Sequence, residues 1–219
     1  MFKKLIPSLA ILALSSTSWA VTDPSVATLK IYGVALSANA DCSEATVVGY
    51  SEAGVDYDFK TNPSIFTGTV TPGTYQCMIL YMNSVINFKH LANDGANWVA
   101  GTSYHINVCN SGNSCTYTTA SPNASNVLVY DSALTTATTA STATTGEKVL
   151  LFLSTASTGT GNLAFTKPAT GSPANGITLN GAFTVVAGGS SGTFVVNFDG
   201  KVLDEGSACG LNPPVFSFR

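Results

Sequence analysis

Residues 70–88 constrain the fold most, because a turn signal is followed directly by a long apolar run. Pro72-Gly73 is typical of a β-turn in which Pro presets φ and Gly supplies a positive φ. Residues 74–82 then predict a strand whose side chains alternate between two faces. Both sets are largely apolar: Tyr75, Cys77, Ile79 and Tyr81 on one face, Gln76, Met78, Leu80 and Met82 on the other. The pattern therefore predicts a central strand that is covered on both sides.

The first twenty residues have the pattern of an export signal. A basic start precedes an apolar run over residues 5–14, and a small-residue cleavage site ends at Ala20. The run is shorter than the roughly 20 residues that span a bilayer core. We therefore expect residues 1–20 to be a signal peptide, a mature chain that starts at Val21 without a transmembrane segment, and export to the periplasm, outer surface or extracellular space.

Charged residues make up only 10% of the chain, and the formal net charge is −3. The basic residues are scattered singly, whereas a nucleic-acid interface needs a clustered basic patch. The composition therefore predicts no nucleic-acid partner. Abundant glycine, serine and threonine also disfavour long helices.

Cysteine usage fits an oxidising compartment, because all five cysteines follow the export signal. Cys109 and Cys115 flank the turn-forming sequence N-S-G-N-S, so we expect a bridge that closes a hairpin between residues 104–108 and 116–119. Cys42 and Cys77 are the second predicted pair, since each lies near a strong strand. Cys209 would then be the odd thiol, buried or available to a partner chain.

Further short strands are separated by turn signals along the rest of the chain. They are predicted over residues 26–37, 45–50, 85–90, 98–109, 116–119, 127–130, 149–154, 177–187 and 192–203, with an edge strand over 211–218. Gly33 indicates a bulge or a close approach in the first of them. The sequence G-G-S-S at 188–191 predicts a hairpin between the last two long strands.

These elements predict an all-β fold, an antiparallel two-sheet β-sandwich of immunoglobulin or prealbumin type with long loops. We expect residues 21–219 to form a single sandwich domain. The Ala/Thr-rich stretch at 132–146 has too little apolar bulk to fold on its own. It is predicted to be a long exposed loop or a linker between two halves.

Three motifs resemble an uncharacterised family of exported bacterial domains with a prealbumin-type, carbohydrate-binding-like sandwich. They are A-T-L-K-I-Y-G-V-A-L-S at 27–37, T-P-G-T-Y-Q-C-M-I-L at 71–80 and A-F-T-V-V-A-G-G-S-S-G-T-F-V-V-N-F-D-G at 182–200. The resemblance implies fold and export. It implies no activity, because the family carries no agreed one.

One acidic segment offers a candidate cation site. Asp56 and Asp58 share one side of an extended segment, with Glu52 nearby, and carboxylates are ligands that Ca²⁺ prefers. The segment lacks the glycine and the further acidic ligands of a dedicated calcium loop. A solvated acidic loop over residues 51–62 is therefore the favoured interpretation, and the sequence predicts no metal site and no cofactor.

Trp98 is the candidate ligand-binding aromatic, since it lies beside an amide and a turn. The two histidines, His90 and His105, sit in strand patterns with no carboxylate placed to orient them, as a hydrolase would need. They also lack metal-finger spacing. The sequence G-G-S-S-G at 188–192 precedes a strand, whereas a nucleophile elbow precedes a helix.

Taken together, these patterns predict a non-enzymatic envelope or cell-surface protein that acts by binding or assembly. It would be adhesin-like, fibre-associated or glycan-binding, with a glycan or another envelope or surface protein as its partner. The alternative is a secreted hydrolase with an unrecognised active site.

Overall fold

A computed structural model describes residues 21–61, 70–93, 99–108, 115–117, 119–130, 135–137, 147–158, 163–173, 175–187, 194–204, 209–211 and 214–218. The described residues form strands and no helix, so this part of the chain is all-β, as the sequence predicts. The strands are β1 (Val21–Thr22), β2 (Pro24–Ser37), β3 (Thr46–Asp58), β4 (Gly73–Tyr75), β5 (Cys77–His90), β6 (Ser103–Asn107), β7 (Cys115–Tyr117), β8 (Ala120–Pro122), β9 (Leu128–Tyr130), β10 (Thr135–Ala137), β11 (Lys148–Ser154), β12 (Ile177–Thr178), β13 (Phe183–Val185), β14 (Phe194–Asn197), β15 (Val202–Asp204), β16 (Cys209–Leu211) and β17 (Val215–Phe218).

An eight-stranded sheet dominates the fold, with the order β10-β7-β11-β5-β2-β3 and with β6 and β12 paired to β5 and β11. Strand β5 lies at its centre. It pairs with β2 along one side, while β11 and then β6 pair with successive halves of its other side. The described pairings are antiparallel except that of β11 with β12. The predicted central strand is therefore confirmed.

Both faces of this sheet are covered by apolar side chains. Met78, Leu80 and Met82 belong to a cluster on the first face. Cys77, Ile79 and Tyr81 belong to a second cluster on the other face. The predicted alternation is thus confirmed from Cys77 onwards.

The coverings of the two faces differ. On the first face, the two-stranded sheets β4–β13 and β14–β17 contribute Phe183, Val196 and Phe216. On the second face, the β8–β9 hairpin contributes Ala120 and Leu128. The large sheet therefore lies between several small antiparallel units.

The segment before β5 differs from the prediction. Gln76 separates β4 from β5, and its N–H donates to the carbonyl of Ser37 (2.9 Å). Tyr75 consequently packs with the first-face cluster rather than with Cys77. Gly73 pairs with Val185 inside β4 and is not among the glycines with positive φ, so the predicted turn geometry is wrong.

A bulge at Gly33 is confirmed, because the register of β2 shifts there against both β3 and β5. Ile31 and Val34 consequently face the same cluster, although strict alternation would put them on opposite faces. An extra residue inverts the face of everything after it. Val34 therefore packs with the first-face cluster and Ala35 with the second.

Two strands are longer than predicted. Strand β3 continues to Asp58 through the segment that was expected to be an acidic loop. Strand β5 continues to His90, so residues 85–90 are not a separate strand. Ser84 is fully buried there, where its backbone and hydroxyl bond to the backbone of Glu147.

The predicted hairpin between residues 177–187 and 192–203 is wrong. Strand β13 pairs with β4, β14 pairs with β17, and β15 lies between β1 and β16. Residues 188–191 lie outside the described residues. The tail does add an edge strand, as predicted, since β17 pairs with β14.

The Ala/Thr-rich stretch is not wholly irregular. Thr135–Ala137 forms β10, which pairs with β7. The other residues of the stretch 132–146 lie outside the described residues. None of the described residues forms a helix that is long and apolar enough to cross a membrane.

Candidate functional site

A disulfide joins Cys42 to Cys77, as predicted, with 5.3 Å between the Cα atoms. Cys77 begins the central strand and Cys42 lies in the loop between β2 and β3, and both are buried. The bridge therefore fixes this loop against the second face of the sheet. Cys209 lies in β16 opposite Asp204.

The predicted Cys109–Cys115 bridge involves Cys109, which lies outside the described residues. The expected pairing of residues 104–108 with 116–119 is not the one observed. Strand β6 pairs with β5, whereas β7 pairs with β10 and β11.

Hydrogen bonds support the loop that the disulfide fixes. Asp41 accepts from the hydroxyl (2.6 Å) and the N–H (3.0 Å) of Ser43. These two bonds, to the side chain first and then to the backbone, lower the pKa of Asp41. The Ser154 hydroxyl donates to the carbonyl of Ala40, which joins the loop to β11.

The acidic candidates have separate structural partners. The Asp58 carboxylate accepts from the N–H groups of Ala27 (3.2 Å) and Lys60 (3.1 Å), so it closes the turn after β3. Asp56 lies 3.8 Å from the ammonium of Lys30, its neighbour on β2. Among the described residues, no three histidine, cysteine, aspartate or glutamate side chains are grouped to hold a metal ion.

The two histidines lie on opposite faces of the β5–β6 pair. His90 is buried, and its ring packs edge-on against Tyr104 at 5.4 Å. His105 follows Tyr104 on β6, so it points to the other face, and it is exposed. Trp98 lies outside the described residues.

The structure brings together a group that the sequence did not single out, which we call the tyrosine–lysine cluster: Tyr32, Tyr50, Tyr81 and Lys148. The rings of Tyr32 and Tyr81 lie 5.3 Å apart. The Lys148 ammonium lies 4.3 Å from the centre of the Tyr32 ring and 5.8 Å from that of Tyr81. An ammonium at such distances is attracted by the electron-rich ring face.

Burial raises the pKa of two phenols on this face, those of Tyr81 and Tyr130. Desolvation raises the pKa of Tyr81, and nearby Tyr50 and Tyr32 raise it further against a hydrogen bond with the Ala120 backbone. Desolvation and the charge of Asp41 likewise raise the pKa of Tyr130, which borders the same cluster of side chains. At neutral pH these phenols are hydrogen-bonding groups rather than bases.

Residues 51–54 of β3 leave the regular ladder with β2, and this excursion completes the site. The Lys148 ammonium donates to the carbonyl of Glu52 (3.4 Å), although β11 and β3 are separated by two strands. Gly54 has φ +72°, and a Cβ there would lie 2.8 Å from a ring carbon of Tyr32. The excursion therefore rests on the Tyr32 ring, and only glycine fits at its point of contact.

No linear signal could have identified Lys148. It begins an apolar strand, which alone predicts only a strand end, and its aromatic partners come from β2 and β5. Tyr32 and Tyr81 could be predicted to be buried aromatics but not to be neighbours.

Comparison with family models, curated proteins and solved structures finds no match to this chain in any of the three.

Proposed function

We propose that this protein is an exported, non-enzymatic β-sandwich of the bacterial envelope or cell surface that acts by binding or assembly. Adhesin-like, fibre-associated and glycan-binding roles are all within this class. We also propose that the chain is related to the carbohydrate-binding-like family that three of its sequence motifs resemble.

The tyrosine–lysine cluster carries the proposal. It combines phenol hydroxyls with a fixed ammonium; Lys148 and Tyr50 are only partly buried, whereas Tyr32 and Tyr81 are buried. The Lys148 ammonium and the Tyr50 hydroxyl can donate hydrogen bonds, which suits a ligand rich in hydroxyl groups. Burial raises the pKa of Tyr81, so its hydroxyl stays protonated at neutral pH and does not act as a general base.

The covering of the first face supports a sandwich architecture. Val196 and Phe183 pack from small antiparallel sheets, and Phe198 packs directly after β14, onto the cluster that includes Leu80. We propose that these small sheets act as the second layer of a sandwich whose first layer is the eight-stranded sheet.

The disulfide and the histidines support export and a non-enzymatic role, respectively. A buried Cys42–Cys77 bridge suits an oxidising compartment. His90 and His105 face opposite sides of the sheet, so they do not form a pair that could share a proton.

A glycan array probed with the purified mature chain tests the binding proposal. We expect binding to bacterial or host polysaccharides that falls at least tenfold in Lys148→Ala and Tyr50→Ala. Thr184→Ala, an exposed change on β13, is the matched control and should bind like wild type.

Cell fractionation accompanies the array and should place the protein in the periplasm or at the surface. Turnover of ester, glycoside or peptide substrates that His105→Ala abolishes would contradict the proposal and favour a secreted hydrolase. Array binding that both cluster variants retain would contradict the assignment to the tyrosine–lysine cluster.

A further inference from the structure

Strand β3 is the outermost strand of the eight-stranded sheet in the part of the chain that the structure describes. It is thirteen residues long. A long edge strand presents backbone groups that a second chain can pair with, and proteins commonly protect such edges. Whether β3 can accept a further strand depends on how regular its exposed edge is.

An irregular excursion interrupts β3 in its middle. Tyr50 pairs with Gly33 and Val55 with Ile31, so four residues of β3 lie opposite a single residue of β2. These four residues, 51–54, are called the β3 excursion below. The ladder cannot be regular across them, and a bulge of this kind disrupts an edge.

The β3 excursion is held over the face of the sheet by two contacts. Gly54 rests on the Tyr32 ring, where a Cβ would lie at 2.8 Å. Lys148 reaches from β11 to the Glu52 carbonyl. Both contacts come from the second face, so they hold the excursion out of the line of the edge.

Each remaining piece of the edge is short and terminated. At the start of β3, the N–H of Val47 donates to the carbonyl of Asn126 (2.8 Å), and Thr46 bridges to Val127. At its end, the Asp58 carboxylate caps the turn formed with Lys60. Only residues 55–58 remain as a regular ladder after the excursion.

Charge acts in the same direction. Two copies paired antiparallel about Gly54 would place Glu52 of each opposite Asp56 of the other. Both side chains are exposed, and like charges directly opposite each other destabilise strand pairing.

We propose that the β3 excursion is a built-in block against strand addition, which prevents a second copy of this chain from extending the eight-stranded sheet at β3. This inference does not depend on the proposed binding function. It identifies an edge of the sheet at which copies of this chain do not assemble.

Deletion of residues 52–54 tests the block, because it leaves one residue opposite Tyr32 and restores a regular ladder. We expect this variant, with wild-type strand content by circular dichroism, to form dimers whose mass is twice that of wild type. Sedimentation velocity over a range of protein concentrations would measure the increase. Deletion of residues 51–53, which keeps Gly54 opposite Tyr32, is the second variant and should behave in the same way.

Glu52→Thr is the control, because it removes one charge and keeps the excursion, and we expect it to match wild type. A folded deletion variant with the wild-type mass at every concentration would overturn the proposal. Loss of folding in both deletions would also overturn it, since the excursion would then be needed for the fold itself. Association of Glu52→Thr alone would assign the block to charge instead.

Discussion

The centre of the large sheet and the C-terminal region are built differently, although both are rich in apolar residues. At the centre, β2, β5 and β11 are seven to fourteen residues long and are buried on both faces. Residues 183–218 form strands of three or four residues, spread over several small sheets. The apolar residues are mainly leucine, valine and isoleucine at the centre and valine and phenylalanine in the C-terminal region, but only the first region pairs continuously.

The C-terminal region packs against the rest of the protein through a few buried side chains. Phe198 packs 6.1 Å from the ring of Phe59, and Val202 is fully buried, whereas Val186 and Val215 are more than half exposed. A strand that buries one or two side chains contributes less than one that buries a whole face. The comparison indicates that continuous two-sided burial, rather than apolar content, defines the core.

The largest expected effect lies at the centre. Leu80 is fully buried in β5, so Leu80→Ala should lower the free energy of unfolding by about 2–5 kcal/mol through lost burial and a cavity. Val186→Ala on the exposed surface is the control and should change it by less than about 0.5 kcal/mol. Urea unfolding measures both, and equal losses would break the comparison.

Loss of the disulfide is expected to have the second largest effect on stability. Replacing both Cys42 and Cys77 with alanine removes a bridge that closes a loop of sequence separation 35. The chain-entropy account gives a loss of about 2–4 kcal/mol. Thermal and urea unfolding of the double variant test this, and a loss below about 0.5 kcal/mol would mean that the bridge does not constrain the unfolded chain.

The connection from β11 to β12 sharpens the boundary between the regions. Gly176 and Gly171 both have positive φ, but a Cβ at Gly176 would lie 2.7 Å from the Ser157 hydroxyl, and one at Gly171 would meet nothing within 4 Å. Gly176→Ala should therefore cost about 1–3 kcal/mol more than Gly171→Ala, by overpacking. Equal losses in urea unfolding would place this connection outside the packed core.

The smallest expected effect is a dependence on alkaline pH. Burial raises the pKa of Tyr81 above its ordinary value, so the folded state resists ionisation that the unfolded chain accepts. Its contribution to stability is complete below about pH 10, the ordinary tyrosine value, and is lost as the pH rises further. Tyr81→Phe should flatten this part of the profile of unfolding free energy against pH, and an unchanged slope would contradict the burial argument.

The sequence predicted the centre well because alternation is a local signal. The two faces of residues 77–82, the bulge at Gly33 and the Cys42–Cys77 bridge all follow from residue types and short spacings. A continuous apolar run specifies burial without needing to specify the pairing partner.

Partners and facing could not be predicted where local signals were ambiguous. The runs around Gly188 looked like a hairpin, yet β13 pairs with β4, more than a hundred residues earlier. The acidic residues of β3 suggested a loop because such residues are uncommon in strands, yet Asp56 and Asp58 pair with β2. The tyrosine–lysine cluster joins four strands, so its assembly depends on sheet order, which no short motif encodes.

Native-state hydrogen exchange tests the central claim most directly, because it measures the opening free energy of each amide. The amides of β5 from Met78 to Met82, with their partners in β2 and β11, should exchange only through global unfolding. Those of β13 and β17 should exchange through local opening with clearly lower free energies. Equal protection in the two regions, or slower exchange in β13 and β17 than in β5, would contradict the account.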